Sequence, residues 1–186
     1  MVEAGQTLAA RARSRSIEAW TEIYQRHFDQ VYRFVYFRLR DAEAAEDISS
    51  DVFKKAFEHA DRLRDDGTPI VAWLYRIARN TMFDHLRHNV VRQRVEAPGA
   101  DASAADATDR VAQHIDMAKA LALLNSEQQE VIQLRFMHDL SSQDVARVIG
   151  KSESAVKSIQ ARALQALRRE MVDTKGDPLR HESRVP

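Results

Sequence analysis

Glycine and proline are scarce in this chain, and their positions restrict the folds open to it. Only five glycines and four prolines occur among 186 residues. Most of them lie in three pairs: Gly67 with Pro69, Pro98 with Gly99, and Gly176 with Pro178. The stretches between these pairs are rich in Ala, Leu, Arg, Glu and Gln, which favour helices. Since no β-branched alternation bounded by turn residues predicts a strand, the expected fold is all-α.

Composition excludes several classes of protein. The hydrophobic fraction of 44% and the charged fraction of 30% are those of an ordinary soluble protein. The absence of cysteine excludes a disulfide scaffold, thiolate zinc sites and cysteine nucleophiles. No run approaches the roughly 20 apolar residues of a membrane span, and no signal segment opens the chain. We therefore expect a cytoplasmic protein without stable membrane insertion.

Apolar residues recur at helical spacing along three predicted helices of the N-terminal half. The stripe of the first helix, which ends near Arg40, comprises Trp20, Ile23, Tyr24, Val31, Phe34 and Val35. Asp41 is a suitable N-cap for the second helix, whose stripe comprises Ala45, Ile48, Val52 and Ala56. After a loop, Pro69 suits the first turn of the third helix. The stripe of this helix comprises Ile70, Trp73, Leu74 and Ile77.

A change of composition separates this half from the rest. Residues 96–109 are mostly Ala, Asp, Ser, Pro and Gly with almost nothing to bury, which is typical of a flexible linker. The helical pattern then resumes over residues 111–124. Ser126 and Gln129 predict a capping box at the start of a short helix that ends near Phe136.

The C-terminal pattern is that of a helix-turn-helix. Ser141 and Asp144 begin a short helix that Gly150 ends, and Ser152 caps a longer helix that runs to about Met171. In this motif the second helix enters the major groove of DNA.

These segments predict two small helical domains joined by a flexible acidic linker. The expected divisions are an N-terminal extension at 1–16, a first domain at 17–94, the linker at 95–110, a second domain at 111–172, and a disordered tail at 173–186.

The neutral total charge, 28 basic against 28 acidic residues, conceals opposed segments. Acidic residues outnumber basic residues between positions 41 and 66. Between residues 70 and 94 the only acid is Asp84, against five arginines, and from Lys151 to Arg169 five basic residues accompany Glu153 alone. One basic helix in each domain, with acidic surface elsewhere, favours two nucleic-acid contacts and at least one other partner.

The last predicted helix has two distinct faces. The face predicted to pack inward comprises Val156, Ile159, Ala163 and Leu167. The opposite face comprises Ser154, Lys157, Ser158, Ala161, Arg162 and Gln165. Small residues there would permit close approach to a groove, while the long polar side chains would reach bases or phosphates. The alternative interpretation is an amphipathic hairpin with a solvated basic face.

The third predicted helix has a second such face. It comprises Arg76, Arg79, Asn80, Phe83 and Arg87. Basic and amide groups around an aromatic ring can hold a phosphate backbone and stack on an unpaired base. The alternative is a solvated arginine face with Phe83 partly in the core.

Asp84, His85 and His88 have a spacing that could suggest a metal. No other ligand set accompanies them, so we expect neither a metal nor a cofactor.

Three stretches of the chain carry a resemblance to a known family. Residues 45–57, Ala-Glu-Asp-Ile-Ser-Ser-Asp-Val-Phe-Lys-Lys-Ala-Phe, and 72–81, Ala-Trp-Leu-Tyr-Arg-Ile-Ala-Arg-Asn-Thr, resemble region 2 of bacterial sigma factors of the extracytoplasmic-function (ECF) group. Residues 123–167, with Leu140-Ser141 and Ala155-Val156-Lys157-Ser158, resemble their region 4. The two domains would thus be a region 2 helical bundle and a region 4 helix-turn-helix.

The resemblance implies a sigma factor that binds RNA polymerase core and directs promoter-specific initiation. The second helix would dock on the clamp helices, with Asp47, Ser50, Asp51 and Phe53 near the contact. The third helix would recognise and melt the minus-ten element through its basic face. The last helix would read the minus-thirty-five element, and the polymerase flap and an anti-sigma factor are further partners that the resemblance implies.

Three features depart from the family pattern. Members commonly have Gln where Ser50 stands and Arg where Ile159 stands, and the chain continues beyond Val172, where they usually end. The serine at position 50 puts the polymerase contact there in doubt. The isoleucine at position 159 puts one phosphate contact in doubt.

Two other classes of protein remain as alternatives. One is a helix-turn-helix regulator that binds duplex DNA without polymerase; the response-regulator type would need a receiver domain, which has no counterpart here. The other is an enzyme. The chain has no nucleophile elbow, no clustered ligand set and no phosphate-binding glycine loop, so we expect no enzymatic activity.

Overall fold

The computed structural model describes residues 7–96 and 121–175, with side chains for 7–88 and 121–169. Every regular element in these ranges is helical, which confirms the predicted all-α class. Contacts divide the chain into two compact units, Met1–Ala102 with Gln143–Lys151 and Ser103–Ser142 with Ser152–Pro186. Most of the predicted linker and of the tail lies outside the described residues, and so do residues 111–120.

Four α-helices and a short 3₁₀ helix form the N-terminal part of the first unit. They are α1 (Leu8–Arg13), α2 (Ile17–Leu39), α3 (Ala42–Glu58), the 3₁₀ helix (Ala60–Arg62) and α4 (Ile70–Glu96). Helices α2, α3 and α4 pack against one another, and α1 contacts α2 and the 3₁₀ helix. The core is therefore a bundle of three long helices with a short fourth helix on one side.

The stripes predicted for α2 and α3 are confirmed with one exception. All the predicted α3 residues are buried, and the Oδ1 of Asp41 accepts a hydrogen bond from the Ala44 N–H at 3.1 Å, as expected of an N-cap. On α2 the exception is Tyr24, which is 44% exposed. Its ring packs instead against Phe28 and Phe53 at the edge of the core, with ring centroids 4.9 and 5.0 Å away.

The buried face of α4 differs from the predicted stripe. Its buried residues are Ala72, Leu74, Tyr75, Ala78, Thr81 and Met82. Trp73 and Ile77 are only half-buried and line a cavity instead. The prediction relied on apolarity alone and therefore included these two side chains. In the structure, the face of α4 that packs closely against the bundle is formed largely by small alanines. The Tyr75 ring lies 4.9 Å from that of Phe34, and burial raises the pKa of its hydroxyl.

Helix α1 was not predicted, because its six residues give too short a pattern to show periodicity. Thr7 caps it by accepting the Ala10 N–H at 3.0 Å, and Ala9 and Ala12 are buried. The indole N–H of Trp20 donates to the Ala12 carbonyl at 2.9 Å. This bond satisfies a buried polar group of α2 and anchors α1.

The second unit contains α5 (Ser126–Ile132), a π-helix (Gln133–Met137) and α7 (Glu153–Lys175). The predicted capping box was wrong by one residue. The cap is Asn125 with Gln128, since the Asn125 carboxamide accepts the Gln128 N–H at 2.9 Å and the Gln128 side chain accepts the Asn125 N–H at 3.0 Å. Asparagine is as strong an N-cap as serine.

Helix α6 (Ser142–Ile149) precedes a turn that gives the predicted helix-turn-helix order. Gly150 has a φ of +70°, which favours glycine, and the Lys151 N–H donates to the Ala146 carbonyl at 3.0 Å. Ser152 caps α7 as predicted, since its hydroxyl accepts the Ala155 N–H at 3.2 Å. Helix α7 ends at Lys175, so its predicted end near Met171 was too early and the first residues of the predicted tail are helical.

Among the helices that the structure describes, none has the length and apolar character required to cross a membrane.

Candidate nucleic-acid and polymerase interfaces

Helix α7 presents the whole of the predicted DNA-reading face to solvent. Ser154, Lys157, Ser158, Ala161, Arg162 and Gln165 are all exposed. On the opposite side Val156, Ile159 and Ala163 are buried, and Leu167 is half-buried. The burial of Ile159 accounts for one departure from the family pattern, because an apolar side chain fills a packed position there.

Both central cations of this face have partners on their own helix. The Lys157 Nζ lies 2.7 Å from the Oε1 of Glu153, one turn earlier. The Arg162 Nε donates to the Ser158 carbonyl at 3.3 Å. Both side chains are exposed, so these contacts can be exchanged for phosphate or base contacts at little cost.

The side chains of the predicted α4 face differ in their exposure to solvent. Arg76, Asn80 and Arg87 are exposed, whereas Arg79 and Phe83 are half-buried. The Arg79 guanidinium lies over the Phe83 ring, 4.7 Å from its centroid. Phe83 is therefore partly buried, and its ring packs under the Arg79 guanidinium in a cation–π contact.

Beside this face lies a cavity, which we call the α3–α4 groove. Its lining includes Lys55, Arg62, Trp73, Arg76, Asn80 and Thr81. The loop before α4 closes one end, where the Asp66 carboxylate accepts the Thr68 N–H at 3.1 Å and Gly67 has a φ of +78°. Hydrogen bonding from Thr68 lowers the pKa of Asp66. The lining thus combines an aromatic and an aliphatic wall with several basic groups and with the carboxylates of Asp66 and Asp84.

Sequence reasoning did not single out Lys55, Arg62 or Trp73 as groove residues. Trp73 was assigned to the core stripe, and Lys55 was only part of a motif. The four-residue spacing of Asp51 and Lys55 was a signal for an ion pair on one helix face.

The acidic face of α3 includes three of the four predicted polymerase-contact residues. Asp47 and Ser50 are exposed, and Asp51 is partly exposed and lies 2.7 Å from the Lys55 Nζ. Phe53 is instead 7% exposed, and its ring packs against Tyr24 and Phe28. Its side chain supports the helix from inside and does not face a partner.

The histidines of α4 form no metal site within the described residues. His88 Nδ1 is 2.8 Å from the Asp84 carbonyl oxygen, and the Asp84 carboxylate lies 3.5 Å from an Arg87 nitrogen. No cluster of three metal-ligating side chains occurs where the structure describes the chain.

Comparison with known families and proteins accounts for both halves of the chain. The family model for sigma-70 region 2 matches residues 23–91, and that for sigma-70 region 4 matches residues 120–169. The first match includes α3 and most of α4, and the second ends in α7.

Two similar proteins are ECF RNA polymerase sigma factors. The ECF RNA polymerase sigma factor BldN of Streptomyces coelicolor is 33% identical over 89% of this chain, which spans 65% of the length of that relative. The ECF RNA polymerase sigma factor SigL of Mycobacterium tuberculosis is 30% identical over 78% of this chain and 85% of its own length.

Solved structures show a similar fold. The sigma factor RpoE of Bartonella quintana, solved in complex with the anti-sigma factor NepR, is 23% identical with a TM-score of 0.66, covering 87% of this chain and 99% of that one. CnrH, solved with the cytosolic domain of CnrY, is 27% identical with a TM-score of 0.62, covering 91% and 97%. The chain belongs to the ECF RNA polymerase sigma factors of the sigma-70 family. It is thus a sigma factor that directs transcription.

Proposed function

We propose that three helices of this sigma factor have separate binding roles. The acidic face of α3 docks on the clamp helices of RNA polymerase core, the exposed face of α4 recognises and opens the minus-ten element, and α7 reads the minus-thirty-five element in the major groove. We also propose that the protein is cytoplasmic and has no enzymatic activity.

The observation that carries this proposal is the division of α7 into two faces. Every residue predicted to meet DNA is exposed, while three of the four predicted to pack inward are buried and Leu167 is half-buried. A helix preceded by the Gly150 turn and exposing a face of short, amide and cationic side chains can approach a major groove.

The groove and the α4 face support the melting role. Opening a duplex costs about 1.4 kcal/mol of stacking for each base step. An exposed amide at Asn80, the ring of Phe83 and nearby arginines can offset this cost by holding an extruded base and its phosphates.

We also propose an anti-sigma factor as a partner. RpoE is solved with an anti-sigma factor. An anti-sigma factor that covers α3 or α7 would block polymerase or promoter binding. Co-expression of the chain with a candidate partner and co-purification would test this directly.

Run-off transcription tests the proposal as a whole. Purified chain and core polymerase are incubated with genomic fragments, and the start sites are sequenced. We expect specific transcripts only when the chain is present. Binding to free duplex without polymerase, as tight as binding with it, would indicate a helix-turn-helix regulator instead.

Reversing the charge of the α3 face is expected to abolish polymerase docking. Asp47→Lys with Asp51→Lys replaces two carboxylates by cations, so a basic partner surface is repelled. Co-purification with core polymerase should be lost while circular dichroism shows unchanged helicity.

Glu58→Lys is the control for each single charge reversal, since it replaces one exposed carboxylate by a cation at the far end of α3. This variant should bind core normally. Wild-type core affinity in the Asp47/Asp51 variant would show that the face is only solvated surface.

A further inference from the structure

Lys55 connects the acidic face of α3 with the α3–α4 groove. Its Nζ lies 2.7 Å from the Oδ2 of Asp51 and donates a hydrogen bond to the Thr81 hydroxyl at 3.2 Å. Thr81 belongs to α4 and is 7% exposed. One ammonium group therefore contacts a residue of the proposed polymerase face and a residue of the proposed DNA-opening helix.

The position of Lys55 is that of a DNA contact. It lines the groove together with Arg62, Arg76 and Asn80, and its side chain remains 38% exposed. A strand that enters this groove would bring its phosphates among these cations. Lysine binds phosphate as a point charge and needs no fixed orientation to do so.

In the free chain the Asp51 carboxylate, 2.7 Å away, partly offsets the charge of Lys55. A phosphate must compete with this carboxylate for the ammonium, so it gains less there than at an unpaired lysine. Ion pairs of this exposure contribute little to stability, so a stronger competitor for Asp51 can replace Lys55. A basic surface that docks on α3 would be such a competitor.

We propose that Lys55 is a further promoter-DNA contact of this sigma factor, and that Asp51 withholds its charge until polymerase docks. The inference rests on the proposed docking of α3 and goes beyond it. When a polymerase cation pairs with Asp51, the Lys55 ammonium turns to a phosphate in the groove. By linkage, DNA held by Lys55 strengthens the polymerase contact of Asp51 to the same extent.

The test compares the free chain with the holoenzyme. In the free chain, binding to a short fluorescein-labelled oligothymidylate is measured by anisotropy over a range of salt concentrations. Asp51→Asn should steepen the slope of log affinity against log salt by about 0.7, the value for one phosphate contact on a single strand. Between 50 and 200 mM salt this slope corresponds to about a threefold change in affinity. Lys55→Gln should leave free-chain binding unchanged, and the double variant should show no gain.

In the holoenzyme, assembled from full chain and core polymerase, Lys55 is expected to contribute to DNA binding. Lys55→Gln should weaken binding to a promoter fragment from the run-off assay and reduce the salt slope by about 0.7–0.9. Lys55→Arg should restore the slope because it retains the charge. Lys54→Gln removes an exposed neighbouring cation of α3 and is the matched control; its slope should equal that of the wild type.

Each other outcome overturns the inference. An equal effect of Lys55→Gln in free chain and holoenzyme would show that Asp51 withholds nothing. An unchanged holoenzyme slope, or no gain in free-chain Asp51→Asn, would show that Lys55 only joins α3 to α4, since a structural role would shift the melting temperature and not the slope. Failure of the wild-type holoenzyme to bind promoter would instead refute the proposed function.

Discussion

Replacing Asn80 and Phe83 together by alanine is expected to abolish promoter opening while leaving the closed complex intact. The two substitutions remove an exposed amide and a half-buried ring but no charge. Base stacking on an aromatic side chain is worth about 1–3 kcal/mol per base, and the arginines and α7 still hold the duplex. Permanganate footprinting should show no unpaired thymines, and a template with a pre-melted bubble should restore most of the transcription.

The structure makes this experiment interpretable. Truncation of a fully buried Phe costs about 3–5 kcal/mol, but the Phe83 ring is only half-buried and lies under the Arg79 guanidinium, so the loss of stability should be smaller. His88→Ala removes an exposed ring of α4 outside the predicted face and serves as control. If the double variant is stably folded and opens duplex promoters normally, the face does not capture bases.

Removing the two central cations of α7 is expected to weaken binding of the minus-thirty-five element. Lys157→Ala or Arg162→Ala should each cost about 1–3 kcal/mol if the side chain makes a bidentate base contact. If it contacts phosphate alone, the loss is smaller, independent of sequence, and accompanied by a salt slope reduced by about one. Competition between promoter fragments with intact and scrambled upstream elements separates the two cases.

Two further variants check this assignment of α7. Glu153→Gln removes the carboxylate 2.7 Å from Lys157, so it should strengthen DNA binding where Lys157→Ala weakens it. Arg26→Ala removes an exposed cation of α2 that pairs with Glu22, and its promoter affinity should remain normal. Wild-type affinity in the Lys157/Arg162 double variant would mean that α7 does not read the promoter.

The sequence predicted the helices in which large apolar residues mark the buried face. The stripes of α2 and α3 and the two faces of α7 follow from periodicity, because Ile, Val or aromatic side chains recur at helical spacing on the inner face of each. The predictions for α4 were less accurate. Its buried face depends on alanines and on Tyr75, and these residues become close contacts only once α2 and α3 are in place.

The groove shows where sequence reasoning stops for a different reason. Its lining comes from α3, the 3₁₀ helix, a loop, α4 and, through Arg147, α6, which are distant in sequence and meet only in the folded unit. The same holds for the contact between Lys55 and Thr81, 26 residues apart. The placement of Phe53 inside the core also depends on tertiary packing, since a motif resemblance does not distinguish a side chain that touches a partner from one that supports its helix.

The turn between α6 and α7 has a consequence for how this protein can vary over evolution. At Gly150 an added Cβ would meet no heavy atom within 4 Å, yet the φ of +70° disfavours most side chains. The constraint is thus on one dihedral angle and not on space. Asparagine, which tolerates the left-handed conformation, is an acceptable replacement, whereas a β-branched residue is not. Substitution at this position should therefore follow backbone preference, since the Cβ itself meets no neighbouring atom.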